Sequence, residues 1–136
     1  MYDRFLFIGL GGSGGSTLGH IKESLKTWLE EHNLESKIPA GWQFLHIDTP
    51  TVPDSDPPLS PDEYLGLVKT NVQFSNVQMM LDSDENLHDE IQTWRVEPTG
   101  LKVSITKGAG QFRAVGQTIS IAYASTIRQK VEQSVG

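Results

Sequence analysis

The 136-residue chain contains no cysteine. Disulfides, thiolate nucleophiles and thiolate metal sites are therefore excluded, and a reducing compartment is permitted. Basic charge is also scarce. Eleven Lys and Arg against 17 Asp and Glu leave a formal net charge of −6, and the cations are scattered along the chain, which argues against nucleic acid or another polyanion as partner. Long apolar runs are missing too: no stretch approaches the ~18 residues of a membrane span, and Met1-Tyr2-Asp3-Arg4 does not open a secretory leader. The expectation is a soluble, cytoplasmic protein with no membrane partner. No Gly-Lys-Ser or Gly-Lys-Thr occurs, which removes the Walker type of phosphate loop. His20, His32, His46 and His88 lack metal-ligand spacing. No Gly-x-Ser-x-Gly elbow and no internal repeat is present. Proline is scarce outside one segment, because five of the seven fall within residues 49–63, which reads as a surface loop.

What the chain does have is glycine, concentrated at one place. Gly9-Leu10-Gly11-Gly12-Ser13-Gly14-Gly15 holds five glycines in seven residues. It directly follows an apolar run over residues 4–9, the pattern of a strand buried on both faces of a parallel sheet. From Ser16 to about Asn33, Leu18, Ile21, Leu25, Trp28 and Leu29 recur at helical spacing, which predicts an amphipathic helix. Trp42-Gln43-Phe44-Leu45-His46-Ile47-Asp48 predicts a second strand ending in an acid. Strand, glycine turn, helix and strand make a βαβ unit, so the fold class is α/β: a Rossmann-like parallel sheet flanked by helices. The length sets one domain over 1–136.

Further along, Ser60-Pro61-Asp62-Glu63 reads as an N-cap with proline at the first helical position, predicting a helix over 61–69. Short helices are expected within 70–95. Asp82-Ser83-Asp84-Glu85-Asn86 begins like a calcium loop but places Leu87 sixth and Thr93 twelfth, so a solvated acidic loop is the reading. A strand is expected over residues 101–106, a second glycine turn at Lys107-Gly108-Ala109-Gly110-Gln111, and a helix from Arg113 to about Gln133 with Val115, Ile119, Ala122, Thr126 and Ile127 near one face. Trp28, Trp42 and Trp94 read as core or interface anchors.

Glycines at a strand-to-helix turn let an anion approach main-chain N–H groups at a helix N-terminus, so the turn is a candidate phosphate site. Ser13, Ser16 and Thr17 are placed to add hydroxyl hydrogen bonds. Gly9, Gly11 and Gly14 satisfy Gly-x-Gly-x-x-Gly, the dinucleotide fingerprint. That reading calls for an acid about 20 residues further on to hold the ribose, whereas Asp48 lies more than 30 residues past Gly14. Close packing of strand and helix is the alternative use of such glycines.

The same residues resemble a family. Gly9-Leu10-Gly11-Gly12-Ser13-Gly14-Gly15 is similar to the first phosphate loop of the tubulin/FtsZ GTPases. Phe44-Leu45-His46-Ile47-Asp48-Thr49 resembles the family's strand and second loop, and Gly108-Ala109-Gly110, followed by Val115-Gly116, resembles its third. The likeness is to the bacterial tubulin-like proteins with a Gly-Ala-Gly-Gln third loop. It implies that Gly11, Gly12, Ser13, Gly14, Gly15 and Ser16, with Asp48 and Thr49, hold the phosphates of GTP or GDP with Mg²⁺. It also implies that Gly108, Ala109 and Gly110 sense the γ-phosphate, and that the complete protein self-associates with its nucleotide state.

Two departures stand out. Asp48-Thr49-Pro50 replaces Asn-Thr-Asp, removing a carboxylate near the γ-phosphate for which Asp48 or Asp54 could substitute; Gln111-Phe112-Arg113-Ala114 replaces the Asn-Pro-Glu region and offers Arg113 as a phosphate-facing cation. No Gly-Gly-Gly-Thr-Gly loop, base-reading segment or catalytic acidic loop is present. The chain is therefore expected to be the N-terminal part of the nucleotide-binding domain, without GTPase activity of its own. Two other readings stay open: a Rossmann oxidoreductase or adenylating domain with Asp48 on an adenosine ribose, and a binding module that has lost hydrolysis.

Overall fold

The computed structural model describes residues 3–69, 72–94, 105 and 113–136. Strand β1 (Phe5–Leu10) runs straight into helix α1 (Gly11–Glu31), and β2 (Trp42–Asp48) follows. A 3-10 turn at Pro61–Glu63 leads to the short β3 (Tyr64–Gly66); then come α2 (Phe74–Asp82), α3 (Glu85–Ile91), α4 (Arg113–Ala122) and α5 (Ala124–Val135). The sheet order is β1-β2-β3. β1 and β2 are parallel, with Phe5 opposite Trp42, Gly9 opposite His46 and Leu10 opposite Ile47. α1 packs on both strands, giving the Rossmann-like α/β arrangement that the sequence pattern predicts.

By its contacts the chain divides into two compact units. The first comprises Met1–Asp48, Pro53–Leu65 and Gln129–Gly136; the second comprises Thr49–Val52 and Gly66–Arg128. In the first, side chains alternate across β2. Phe44, His46 and Asp48 share one face, as a period of two requires. Lys22 of α1 lies 5.6 Å from the Phe44 ring centre, which places α1 on that face. Leu45 and Ile47, on the opposite face, are also buried. In the second unit α2 packs against α3 and α4, burying Phe74, Val77, Leu81, Ile91, Val115 and Ile119. Each such side chain contributes on the order of 1.5–3 kcal/mol by leaving water.

Local chemistry explains the element ends. α1 stops in a Schellman arrangement: Asn33 takes a left-handed φ of 54°, Leu34 N–H donates to the Leu29 carbonyl at 2.9 Å and Asn33 N–H to that of Glu30 at 3.0 Å. Ser60 caps the 3-10 turn, its N–H donating to Glu63 Oε2 at 3.0 Å. Asp84, within the acidic stretch, accepts from the N–H groups of Asn86 and Leu87 and so starts α3.

Several expectations are corrected. α1 begins at Gly11 rather than Ser16, so four of the glycines form its first turns instead of a loop. β1 is not buried on both faces: Phe5, Ile8 and Leu10 are exposed, Leu10 by 70%, because among the described residues β1 is an edge strand. Trp28 lies outside the core, stacked on His32 with ring centres 4.3 Å apart. The helix expected over 61–69 is the 3-10 turn plus β3. The expected long C-terminal helix divides at Tyr123 into α4 and α5, although Tyr123 and Ile127 N–H groups keep i→i−4 bonds of 3.0 Å across the break. Of the strand expected over 101–106, only the buried Ile105 is described.

Candidate phosphate-binding site

β1 ends at Leu10 and the chain turns within one residue. Gly11 makes that turn with a φ of +70°, a region that costs any other residue strain. The close packing of the turn has its own glycine requirement. A Cβ on Gly9 would lie 2.7 Å from the Gly14 carbonyl carbon, and one on Gly14 would lie 2.9 Å from that of Gly9, so strand end and helix start touch backbone to backbone. Gly12 differs from all of these. Its φ is not left-handed, and a Cβ there would meet nothing within 4 Å.

The head of α1 is open. Leu10 provides no side-chain cap and the first turn contains no acidic residue. With Leu10 as N-cap, the N–H groups of Gly11, Gly12 and Ser13 precede the first i→i−4 bond, which Gly14 makes, and they point out of the helix end, carrying its positive dipole. Gly12 and Ser13 are exposed, while Gly14 and Ser16 are partly so. Thr17, expected to add a hydroxyl, instead donates from Oγ1 to the Ser13 carbonyl at 2.8 Å.

β2 brings the second component. Because Leu10 pairs with Ile47, Asp48 stands at the carboxyl edge of the sheet beside the turn, the edge where open α/β sheets hold their ligands. Two residues back, His46 is fully buried. Its Nε2 donates to the Gly11 carbonyl at 2.9 Å and lies 3.7 Å from Asp48 Oδ2. Tyr64 meets the imidazole edge-on, ring centres 5.0 Å apart. Burial, reinforced by the negative charges of Asp48 and Asp54, pushes the Tyr64 phenol up to about 12. Lys22 does not face this edge; its ammonium donates to both Glu63 carboxylate oxygens at 2.7 Å.

Of the residues expected to form the site, Gly11, Gly12, Ser13, Gly14, Gly15, Ser16 and Asp48 lie in the first unit, around the head of α1. Thr49 is buried and opens the second unit, where Arg113 is the exposed first residue of α4. Gly108, Ala109 and Gly110 lie outside the described residues. The sequence places His46 near the site, two residues before Asp48, but does not disclose its bond to the Gly11 carbonyl.

The arrangement can hold an anion: donors converge at an uncapped helix end, and a side-chain-free position stands open before them. Among the described residues no group of three or more His, Asp or Glu could hold a metal unaided. This is compatible with magnesium, which takes one or two carboxylates and completes its shell with phosphate oxygens and water. Among the same residues no helix is long and apolar enough to cross a membrane. The parallel strands, the turn and the helix on them define a Rossmann-like α/β protein.

A family model described as tubulin-like matches residues 6–136. The chain belongs to this tubulin-like family. No curated protein and no solved structure matches it.

Proposed function

We propose that the chain carries the phosphate-binding part of a guanine-nucleotide site, taking GTP or GDP with Mg²⁺. The observation that carries this reading is Gly12. Glycine near the start of a helix costs about 1 kcal/mol relative to alanine, and neither a left-handed φ nor a neighbouring atom requires it there. An incoming phosphate accounts for the missing side chain.

In this reading the N–H groups of Gly11, Gly12 and Ser13 donate to the α- and β-phosphates, Ser13 and Ser16 add hydroxyls, and Asp48 orients the metal's water shell. The bound magnesium nucleotide supplies the charge these groups neutralise. The chain's own contribution is to bind and orient, not to move a proton. Membership of the tubulin-like family supports nucleotide-linked self-association in the full-length form.

One observation favours a second reading. Asp48 ends the strand beside β1, where a dinucleotide site places its ribose-binding acid, and the 21-residue α1 explains the long spacing. Calorimetry with GTP, GDP, ATP and NAD in the presence of Mg²⁺ separates the two. Guanine-selective binding that weakens at least about tenfold in Gly12→Val, with an unchanged melting temperature, is the expected result. Selectivity for NAD or ATP overturns it in favour of the second reading.

A further inference from the structure

His46 is buried on the face of β2 that α1 covers, and its environment is asymmetric. Nε2 donates to the Gly11 carbonyl at 2.9 Å, whereas Nδ1 is buried without a hydrogen-bond partner. An unsatisfied buried acceptor costs about 1–3 kcal/mol, and an aliphatic side chain in the same space would avoid that cost. Stability alone therefore does not account for a histidine here. The Nε2 bond does something that an apolar residue cannot.

What it does follows from the planarity of the peptide. In a trans peptide the C=O and the next N–H point in opposite directions. The hydrogen bond draws the Gly11 carbonyl inward to the imidazole, so the Gly12 N–H points outward through the head of α1. Gly11 is also the residue with the left-handed φ. At this flexible glycine the peptide that follows is held by the helix bond from Gly15 N–H to the Gly11 carbonyl and by the imidazole, which bonds the same oxygen from the side. The imidazole is itself fixed, wedged under Gly15, where a Cβ would lie 2.5 Å from Nδ1, and faced by Tyr64.

We propose that His46 is the positioning residue of the phosphate turn: through Nε2–H it locks the Gly11–Gly12 peptide with the Gly12 N–H presented to the phosphate. The inference rests on the phosphate-site reading above and adds the residue that preorganises it. Preorganisation of this kind strengthens binding by removing an ordering cost, without itself touching the ligand.

The test uses the 136-residue chain and two substitutions. His46→Gln keeps a donor near the Nε2 position; His46→Leu removes the donor and the orphaned Nδ1 together. Binding of GDP with Mg²⁺ and of inorganic pyrophosphate is measured by calorimetry, and thermal unfolding by circular dichroism. The expected result is an affinity about tenfold weaker for His46→Leu, the equivalent of one hydrogen bond, at a melting temperature no lower than the parent's. Binding by His46→Gln should return to within about threefold of the parent. Equal affinity in parent and His46→Leu overturns the inference and leaves the phosphate site standing. A parent chain that binds neither GDP nor pyrophosphate overturns both. Should His46→Leu fail to fold, the long-range ¹H–¹⁵N spectrum of the unsubstituted chain decides: an Nε2-protonated ring is required, and an Nδ1-protonated one is fatal to the proposal.

Discussion

The imidazole of His46 fills the space that a side chain at position 15 would need: a Cβ on Gly15 would lie 2.5 Å from Nδ1 and 2.6 Å from Nε2. Helix α1 can therefore approach β2 this closely only with glycine at that point. Gly15→Ala should destabilise the chain by about 1–3 kcal/mol through overpacking. The same substitution in a His46→Ala background should be neutral, or stabilising by up to about 1 kcal/mol, because the space is then empty and alanine is the better helix former. Urea unfolding of the four chains closes the double-mutant cycle. Additive effects would mean that the two residues do not share the space.

Gly9 and Gly12 separate packing from binding. Gly9→Ala drives a methyl into the Gly14 backbone, which cannot swing aside as a side-chain end can, and should cost about 1–3 kcal/mol. Gly12→Ala meets nothing and should stabilise the helix by about 0.5–1 kcal/mol. Thermal melts of the two variants suffice. A loss of stability in Gly12→Ala would show that the open space before the helix is needed by the fold itself.

How far the sequence discloses this site depends on the range of the forces involved. β2 is legible to the residue because its apolar run ends abruptly at Asp48, a local signal. The start of α1 is not: low helix propensity assigns Gly11 to Gly15 to a loop, whereas contact with β1 and β2 draws them into the helix. Trp28 falls at helical spacing yet faces water, since the buried stripe follows Gly15, Leu18, Gly19 and Leu29 and a stripe that includes glycines is invisible to apolar periodicity. Tyr64-Leu65-Gly66 reads as the continuation of a capped helix, but a short helix nucleates poorly, and pairing in the sheet beside β2 wins. The role of His46 depends on a carbonyl 35 positions earlier, which no local pattern discloses.

Lys22 and Glu63 tie α1 to the segment after the proline-rich loop. Their side chains are 15% and 16% exposed and bonded at 2.7 Å to both oxygens, a geometry stronger than that of an open surface pair. Lys22→Met should cost about 1–2 kcal/mol. Glu63→Met should cost more, because Glu63 Oε2 also accepts the Ser60 N–H. Both costs should change little between low salt and about 1 M, since partly buried pairs are weakly screened. Unfolding curves at the two salt concentrations check this, and a cost that vanishes at high salt would assign the pair to the surface class.

Tyr64 gives the chain an alkaline limit with a definite sign. Burial, then the charges of Asp48 and Asp54, raise its phenol from the ordinary 10.0 to about 12, so the fold favours the neutral form. The folded chain holds that proton more tightly than the unfolded chain does, and stability rises wherever the folded state binds more protons and pH falls. The contribution is therefore complete below pH 10, declines between 10 and 12, and is gone above. Solvent reaching the partly exposed ring reduces its size. In Tyr64→Phe this part of the alkaline slope should disappear, and the phenolate absorbance should lose its latest-titrating component. Since His46 stacks edge-on against the same ring, ionisation of Tyr64 places a negative charge against the residue proposed to hold the Gly11 carbonyl. Phosphate affinity should then fall over the same pH interval in the parent and fall less in Tyr64→Phe. A parallel decline in both chains would show that the phenol has no part in the site.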